Sequence, residues 1–310
     1  MSKKQLSLLF ICSLVPWTIG CGLLPLLPIY AIKLGANPAI AGYYLSFAFL
    51  SLAAGTGLAG WLSDKLQRRK LLVIIASVIG VPTIFLMGKA TTVLYLAIIN
   101  GVSWFMYGTI IALVNILAGL FAGEAERGKI FGIIGSTLAL GGIFGGLIVG
   151  PLVDRWGYPT MFAILSGFSV ILPITALFLE DKVIKSSQSK KISTQKNRSK
   201  FGHFFVFLLL AQVITIVDNG TANIGKSLAM DILNFSSSAI TSTMVVGGII
   251  MLLFQLMFGW LSDRIGRKRF MYLCYISFAL SMFLFAYAKA LWHFWIATSL
   301  LNIGFISNNV

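Results

Sequence analysis

The sequence predicts an all-α polytopic membrane protein. Three observations carry this. Of its 310 residues, 58% are hydrophobic and only 11% are charged. Apolar runs of about 20 residues, the length that spans a bilayer as a helix, recur along the whole chain. One short polar loop between two such runs occurs twice, with its aspartates, Asp64 and Asp263, 199 residues apart. Runs this long exceed a barrel strand, and a bilayer admits only helices or closed barrels. The composition leaves no room for a separate soluble domain.

Taken in order, the apolar runs place helix 1 at about 6–31, helix 2 at about 40–62 and helix 3 at about 71–89, each boundary soft by a few residues. Pro25 and Pro28 each remove a helix hydrogen bond and predict a kink near the end of helix 1. Helix 4, at about 93–121, carries Asn100, Ser103, Trp104 and Tyr107 at steps of three or four, so they share one face. Helix 5, at about 129–152, carries Gly142, Gly146 and Gly150 on one stripe with Gly141 and Gly145 beside it, which lets a neighbouring backbone come close. No strand precedes these glycines, so they are not a dinucleotide loop. Helix 6 follows at about 160–179, soft in the same way.

The polar stretch 180–202, rich in Lys, Ser and Gln, reads as a linker between two units. The expected organisation is a six-helix bundle over 1–180, a linker over 181–202, and helices 7–10 over 203–310. Helix 7, at about 203–224, holds Gln212, Thr215, Asp218 and Asn219. Of nine acidic residues, Asp218 is the one placed inside a span, where an ionisable group needs water, a partner or a proton. Helices 8 and 9 follow at about 238–260 and 270–288, and helix 10 at about 291–308 repeats the polar stripe with Trp295, Thr298, Ser299 and Asn302. Counterparts of helices 5 and 6 do not follow, so the second bundle is expected to be incomplete, the alternative being a ten-helix protein.

The net charge of +15 invites a nucleic-acid reading. The cations argue otherwise. On this topology only Lys33, Lys89, Arg155, Lys226 and Lys289 fall on one side, and the other 19 of 24 fall with the N-terminus. That bias places the N-terminus, the linker and both repeated loops in the cytoplasm, with anionic headgroups as partners of the basic face. Nucleic acid is not an expected partner.

No Ser-His-Asp set, metal cluster or phosphate loop appears, so an enzyme, a metal and a cofactor are not expected. Cys12 and Cys21 lie roughly 13 Å apart along one helix and cannot pair. Glu126 and Arg127 read as a local surface ion pair.

The repeated loop reads Gly60-Trp61-Leu62-Ser63-Asp64-Lys65-Leu66-Gln67-Arg68-Arg69-Lys70, and then Gly259-Trp260-Leu261-Ser262-Asp263-Arg264-Ile265-Gly266-Arg267-Lys268-Arg269. It resembles the loop 2–3 motif of the major facilitator superfamily. The first copy departs from the pattern at Lys65 and Gln67. Gly20 to Tyr30 is similar to the helix 1 signature of that family's drug:proton antiporters. The resemblance implies a major facilitator fold and alternating access. It also implies export of a small organic solute or drug across the plasma (inner) membrane by a monomer, with protons as a coupling ion. Gly60, Asp64, Arg68, Arg69, Gly259, Asp263, Arg264, Gly266 and Arg267 would then form the conformational-switch loops. Asp64 would act on helix 11 and Asp263 on helix 5. Asn100, Trp104, Tyr107, Gln212, Thr215, Asp218, Asn219 and Asn302 would line the transport cavity. Two departures keep other readings open. The antiporters' buried helix 4 arginine is absent from Ala97 to Gly101, and the helix 5 glycines lack a central Gly-Pro. A sugar or metabolite facilitator or symporter, and a non-transporting truncated remnant, are the alternatives.

Overall fold

A computed structural model describes residues 1–181 and 219–306. Among the described residues, the elements are helices joined by short turns. They are α1 (Lys3–Leu23), α2 (Leu27–Lys33), α3 (Pro38–Leu66), α4 (Arg69–Met87), α5 (Val93–Phe121), α6 (Arg127–Ser169) and α7 (Ile171–Leu177), with a 3₁₀ turn at Glu124–Glu126. After them come α8, described from 219 to 232, then α9 (Ser237–Ile265), α10 (Arg267–Tyr287) and α11 (Leu291–Ile306). Seven of the described helices are long and apolar enough to cross a membrane.

The punctuation follows the chemistry of the chain. The first apolar run breaks between Leu23 and Leu27, where Pro25 and Pro28 withhold backbone donors. Side-chain oxygens cap three helix starts: Ser2 accepts from Gln5 N at 3.2 Å, Asn37 from Ile40 N at 2.8 Å and Thr92 from Tyr95 N at 3.2 Å. The fifth and sixth apolar runs meet at Gly157. Its φ of 75° is open to glycine at no steric cost, and it turns α6 within a single element.

Glycines set the close crossings. Gly141 and Gly145 face α1, where Gly22 packs on the Gly145 carbonyl. Gly142, Gly146 and Gly150 face α9 instead. A Cβ at Gly146 would sit 2.6 Å from the Thr241 carbonyl oxygen, and one at Gly150 would sit 2.6 Å from that of Ser237. The stripe therefore serves two neighbours at once, with α6 packed backbone to backbone against both α1 and α9.

The repeated loop also has a backbone reason. Gln67 holds a left-handed φ of 54° and Gly266, 199 residues later, one of 87°. The position that departs from the family pattern thus keeps the conformation for which the pattern uses glycine. That turn brings Arg69 back onto α3. Arg69 is 1% exposed, and its Nε donates to Ser63 Oγ at 2.8 Å. Lys70 N donates to Asp181 Oδ2 at 3.0 Å, joining the loop to the end of the sixth span. Asp64 is exposed, and its carboxylate holds no neighbouring helix among the described residues. Here the buried tether is Arg69, because the left-handed turn aims Arg69 inward and leaves Asp64 in solvent. Arg68, Lys65, Arg264 and Gly266 are exposed or half-buried at the same end. The side chains of Asp263 and Arg267, and the surroundings of Gly259, lie outside the described residues.

Two further expectations change. Glu126 pairs with the N-terminal amine at 3.4 Å rather than with Arg127. Lys226, counted among the loop cations, lies on α8 and is 2% exposed, because that helix runs on to residue 232.

Candidate functional site

A cavity of about 260 Å³ lies between the N-terminal helices and those after residue 218. From the first group, α1 supplies Pro16, Trp17 and Gly20, with Leu24 at its end; α3 supplies Phe49 and Leu52; α5 supplies Trp104 and Tyr107; and α6 supplies Gly142. From the second group, α8 supplies Asn219 and Asn223; α9 supplies Met244, Gly247, Gly248 and Met251; and α11 supplies Thr298, Asn302 and Phe305. Four pairs of these residues stand 199 apart, the spacing of the repeated loop: Gly20 and Asn219, Leu24 and Asn223, Phe49 and Gly248, Leu52 and Met251. Equivalent positions of the two repeats therefore face each other across the cavity, as in sites built at a repeat interface.

The two faces differ chemically. The first is aromatic and aliphatic, with Phe49 set edge-on to Trp104 at a centroid distance of 5.0 Å. The second carries amides. Asn302 Nδ2 donates to the Thr298 carbonyl at 2.8 Å and packs over Gly247, where a Cβ would lie 2.7 Å from that nitrogen. Asn223 Nδ2 donates to Asn219 O and Oδ1, both at 2.9 Å. Among the described residues, the hydroxyls of Tyr107 and Thr298 are buried without a hydrogen-bond partner. They are left to a solute or water, since a buried polar group without one is costly.

Of the residues singled out in the sequence, Trp104, Tyr107, Asn219 and Asn302 come together around this cavity. Asn100 does not. It is fully buried between helices beside Tyr44, because its position on α5 faces into the N-terminal bundle. Gln212, Thr215 and Asp218 lie outside the described residues. Sequence reasoning missed Asn223, one turn beyond Asn219 on the same stripe, and the i, i+4 spacing could have found it. Among the described residues, no Asp or Glu lines the cavity.

One end of the interface is latched. Asp154, in the connection beyond the fifth span, accepts from Ser237 N at 2.9 Å and Ser238 N at 2.8 Å, and from the Ser238 hydroxyl. It thus caps the start of α9 from the other group of helices. Partial burial pushes the Asp154 carboxyl up, but the hydrogen bonds from Ser238 and Ser237 outweigh it and hold it below the usual carboxylate range. A depressed value means that the latch is intact above the ordinary carboxylate pKa and is lost as pH falls through the lower, latched value. Asp154→Ala is therefore expected to weaken closure of this end at pH 7 by about 0.5–2 kcal/mol, a factor of roughly 2–30. Alkylation of a cysteine placed at Thr241, which is buried against α6, would report it. Variant and wild type should converge only at pH below the latched value.

The sequence profile of the Major Facilitator Superfamily matches residues 6–307. The chain belongs to that superfamily. Multidrug resistance protein MdtG of Klebsiella pneumoniae (strain 342) is 25% identical over 276 residues, which cover 82% of this chain and 66% of that protein. Multidrug resistance protein 2 of Bacillus subtilis (strain 168) is 22% identical over 295 residues, covering 91% and 72%. The chain thus spans about two thirds of the length of these relatives. Among solved structures, the nucleoside transporter NupG superposes with a TM-score of 0.72 at 19% identity, over 99% of this chain and 80% of that one. A D-xylose-proton symporter gives 0.68 at 13% identity, over 98% and 78%. The family match makes the chain a multi-pass membrane protein of a superfamily whose members are transporters and not enzymes, and the solved structures show the same all-α major facilitator fold.

Proposed function

We infer that this transporter exports a small organic solute or drug by alternating access. The observation that carries the reading is the cavity built from 199-residue repeat equivalents, aromatic on one face and amide on the other. Such a lining suits an amphipathic solute. The multidrug names of its sequence relatives support the direction. In this reading the bundles 1–180 and 203–310, joined by the linker 181–202, rock about the cavity, and the repeated loops limit that motion. The basic end, with Arg69 and the N-terminus, faces the cytoplasm of the plasma (inner) membrane and its anionic lipids. Asp218 is the proposed proton carrier, with Gln212 and Thr215 on its stripe, and the protein works as a monomer. A second reading, a sugar or metabolite facilitator or symporter, is favoured by one observation. The region Ala97 to Gly101 lacks the buried arginine of the antiporters, and its fully buried polar residue is the neutral Asn100.

The test is efflux of a panel of fluorescent amphipathic dyes from proteoliposomes. Trp104→Ala removes the ring that meets Phe49 edge-on, and should raise KM for an exported dye about tenfold, in line with the ~0.5–1.5 kcal/mol of an aromatic contact plus its area. Dye efflux indifferent to Trp104→Ala and Asn302→Ala would remove the cavity from the function. Sugar flux with no dye efflux would favour the second reading.

A further inference from the structure

Hydroxyls inside the spans follow a local habit that one residue of the cavity breaks. Ser77, Thr109, Thr243 and Ser281 each donate to a carbonyl three or four residues back, at 2.6, 2.9, 2.7 and 2.7 Å, the bond a helical serine or threonine can reach without a neighbour. Thr298, on α11, does not. Its methyl group faces α9, 3.5 Å from where a Cβ at Gly247 would stand. The Trp295 carbonyl, one turn back, is taken by Ser299 Oγ at 2.9 Å. Thr298 is 2% exposed, and its hydroxyl is spare within its own helix. From the other group of helices, Tyr107 on α5 is 4% exposed. Its ring lies along α4, with Cε1 3.5 Å from where a Cβ at Gly80 would stand. Of the buried hydroxyls without a partner among the described residues, those of Tyr107 and Thr298 belong to residues that line the cavity, whereas those of Tyr44, Ser103 and Tyr158 do not.

We propose that the solute bound in this cavity presents a neutral carbonyl oxygen, which accepts from the Tyr107 and Thr298 hydroxyls together and so joins the two groups of helices. The inference rests on the cavity being the solute site and names the class of solute it takes. A carbonyl oxygen has two lone pairs, one for each hydroxyl, and the phenolic O–H is the more acidic and donates more readily than it accepts. Both donors are neutral, so their bonds offset the burial of a neutral oxygen and fall short of that of a carboxylate. The rings that carry the carbonyl lie against Trp17, Phe49 and Trp104, which line the same cavity. With one bond to each side, the solute binds best where both sides close on it, which is the differential affinity that alternating access needs.

The test uses fluorenone and fluorene, which differ by a carbonyl against a methylene on one rigid ring system, with binding of each tritiated probe read by scintillation proximity on the purified protein. Tyr107→Phe and Thr298→Val each delete one hydroxyl at nearly constant shape. Each should weaken fluorenone about fivefold, the worth of one hydrogen bond, while fluorene changes by less than about twofold, which also shows that the variants are folded. Infrared difference spectra give a readout that a role in shape alone would not move. The carbonyl stretch of bound fluorenone should lie near its methanol value in the wild type and move towards its hexane value in the double variant. A hexane-like stretch in the wild type overturns the proposal, leaves the cavity a binding site, and requires no variant to fold. A stretch that the double variant leaves unmoved overturns it too, as do equal losses of both probes, no loss of fluorenone, or a loss in one variant alone. Binding of neither probe by the wild type overturns the solute-site reading and the proposal with it.

Discussion

Gly146→Ala should cut transport at least tenfold, whereas Gly135→Ala, on the same helix, should leave it unchanged. The two substitutions add the same methyl group to α6. At Gly135 the new Cβ would meet no atom within 4 Å, and alanine is the better helix former by about 1 kcal/mol. At Gly146 it would lie 2.6 Å from the Thr241 carbonyl oxygen, 2.7 Å from Val245 Cγ2 and 3.0 Å from Val245 N. Two of those three atoms are backbone and cannot rotate away, so α6 and α9 must separate. Overpacking of this kind costs about 1–3 kcal/mol. Here the whole cost falls on the arrangement in which the two helices touch, and a two-state equilibrium moves roughly tenfold for each 1.4 kcal/mol. The separation also breaks the bond from Thr241 Oγ1 to the Gly146 carbonyl, 2.8 Å long. A transporter that must form this contact once per cycle slows in proportion. Alkylation of a cysteine at Thr241 should speed up in Gly146→Ala and stay at the wild-type rate in Gly135→Ala. Equal behaviour of the two variants would show that the contact is not part of the cycle.

Much of this was legible in the sequence wherever one residue type has one strong backbone consequence. Pro25 and Pro28 announced the break after Leu23, and the helical spacing of Trp104, Tyr107 and Asn302 put each on an inward face. The glycines of helix 5 announced a close crossing. What they could not announce was two crossings, because Gly141 and Gly145 differ from Gly142 and Gly146 by one position of rotation, and only the packing of α1 and α9 separates the two faces. Asn100 shares a stripe with Trp104, yet a turn of helix is enough to move it from the cavity into the bundle. Lys226 was misplaced for a different reason. Hydropathy ends a span at the first polar cluster, and Asn219, Asn223 and Lys226 form such a cluster, but Asn219 and Asn223 edge a cavity and Lys226 is buried behind them, on Asn223 Oδ1. Gln67 and Gly266 show the converse. The backbone conformation is kept where the residue is not, so the motif was recognisable across the departure.

In the proposed cycle the two groups of helices open and close around the shared cavity, with the Asp154 end as one of its gates. Asp154 and Ser238 already touch across that gate, so cysteines at these two positions are placed to be cross-linked. The background should have Cys12, Cys21 and Cys274, the free cysteines, replaced by serine. Transport of a dye the protein exports is measured in proteoliposomes before oxidation, after oxidation and after reduction, with each single-cysteine variant as control. Oxidation should stop transport while dye still quenches the cavity tryptophans, and reduction should restore the original rate. Undiminished transport by the fully cross-linked protein would contradict it.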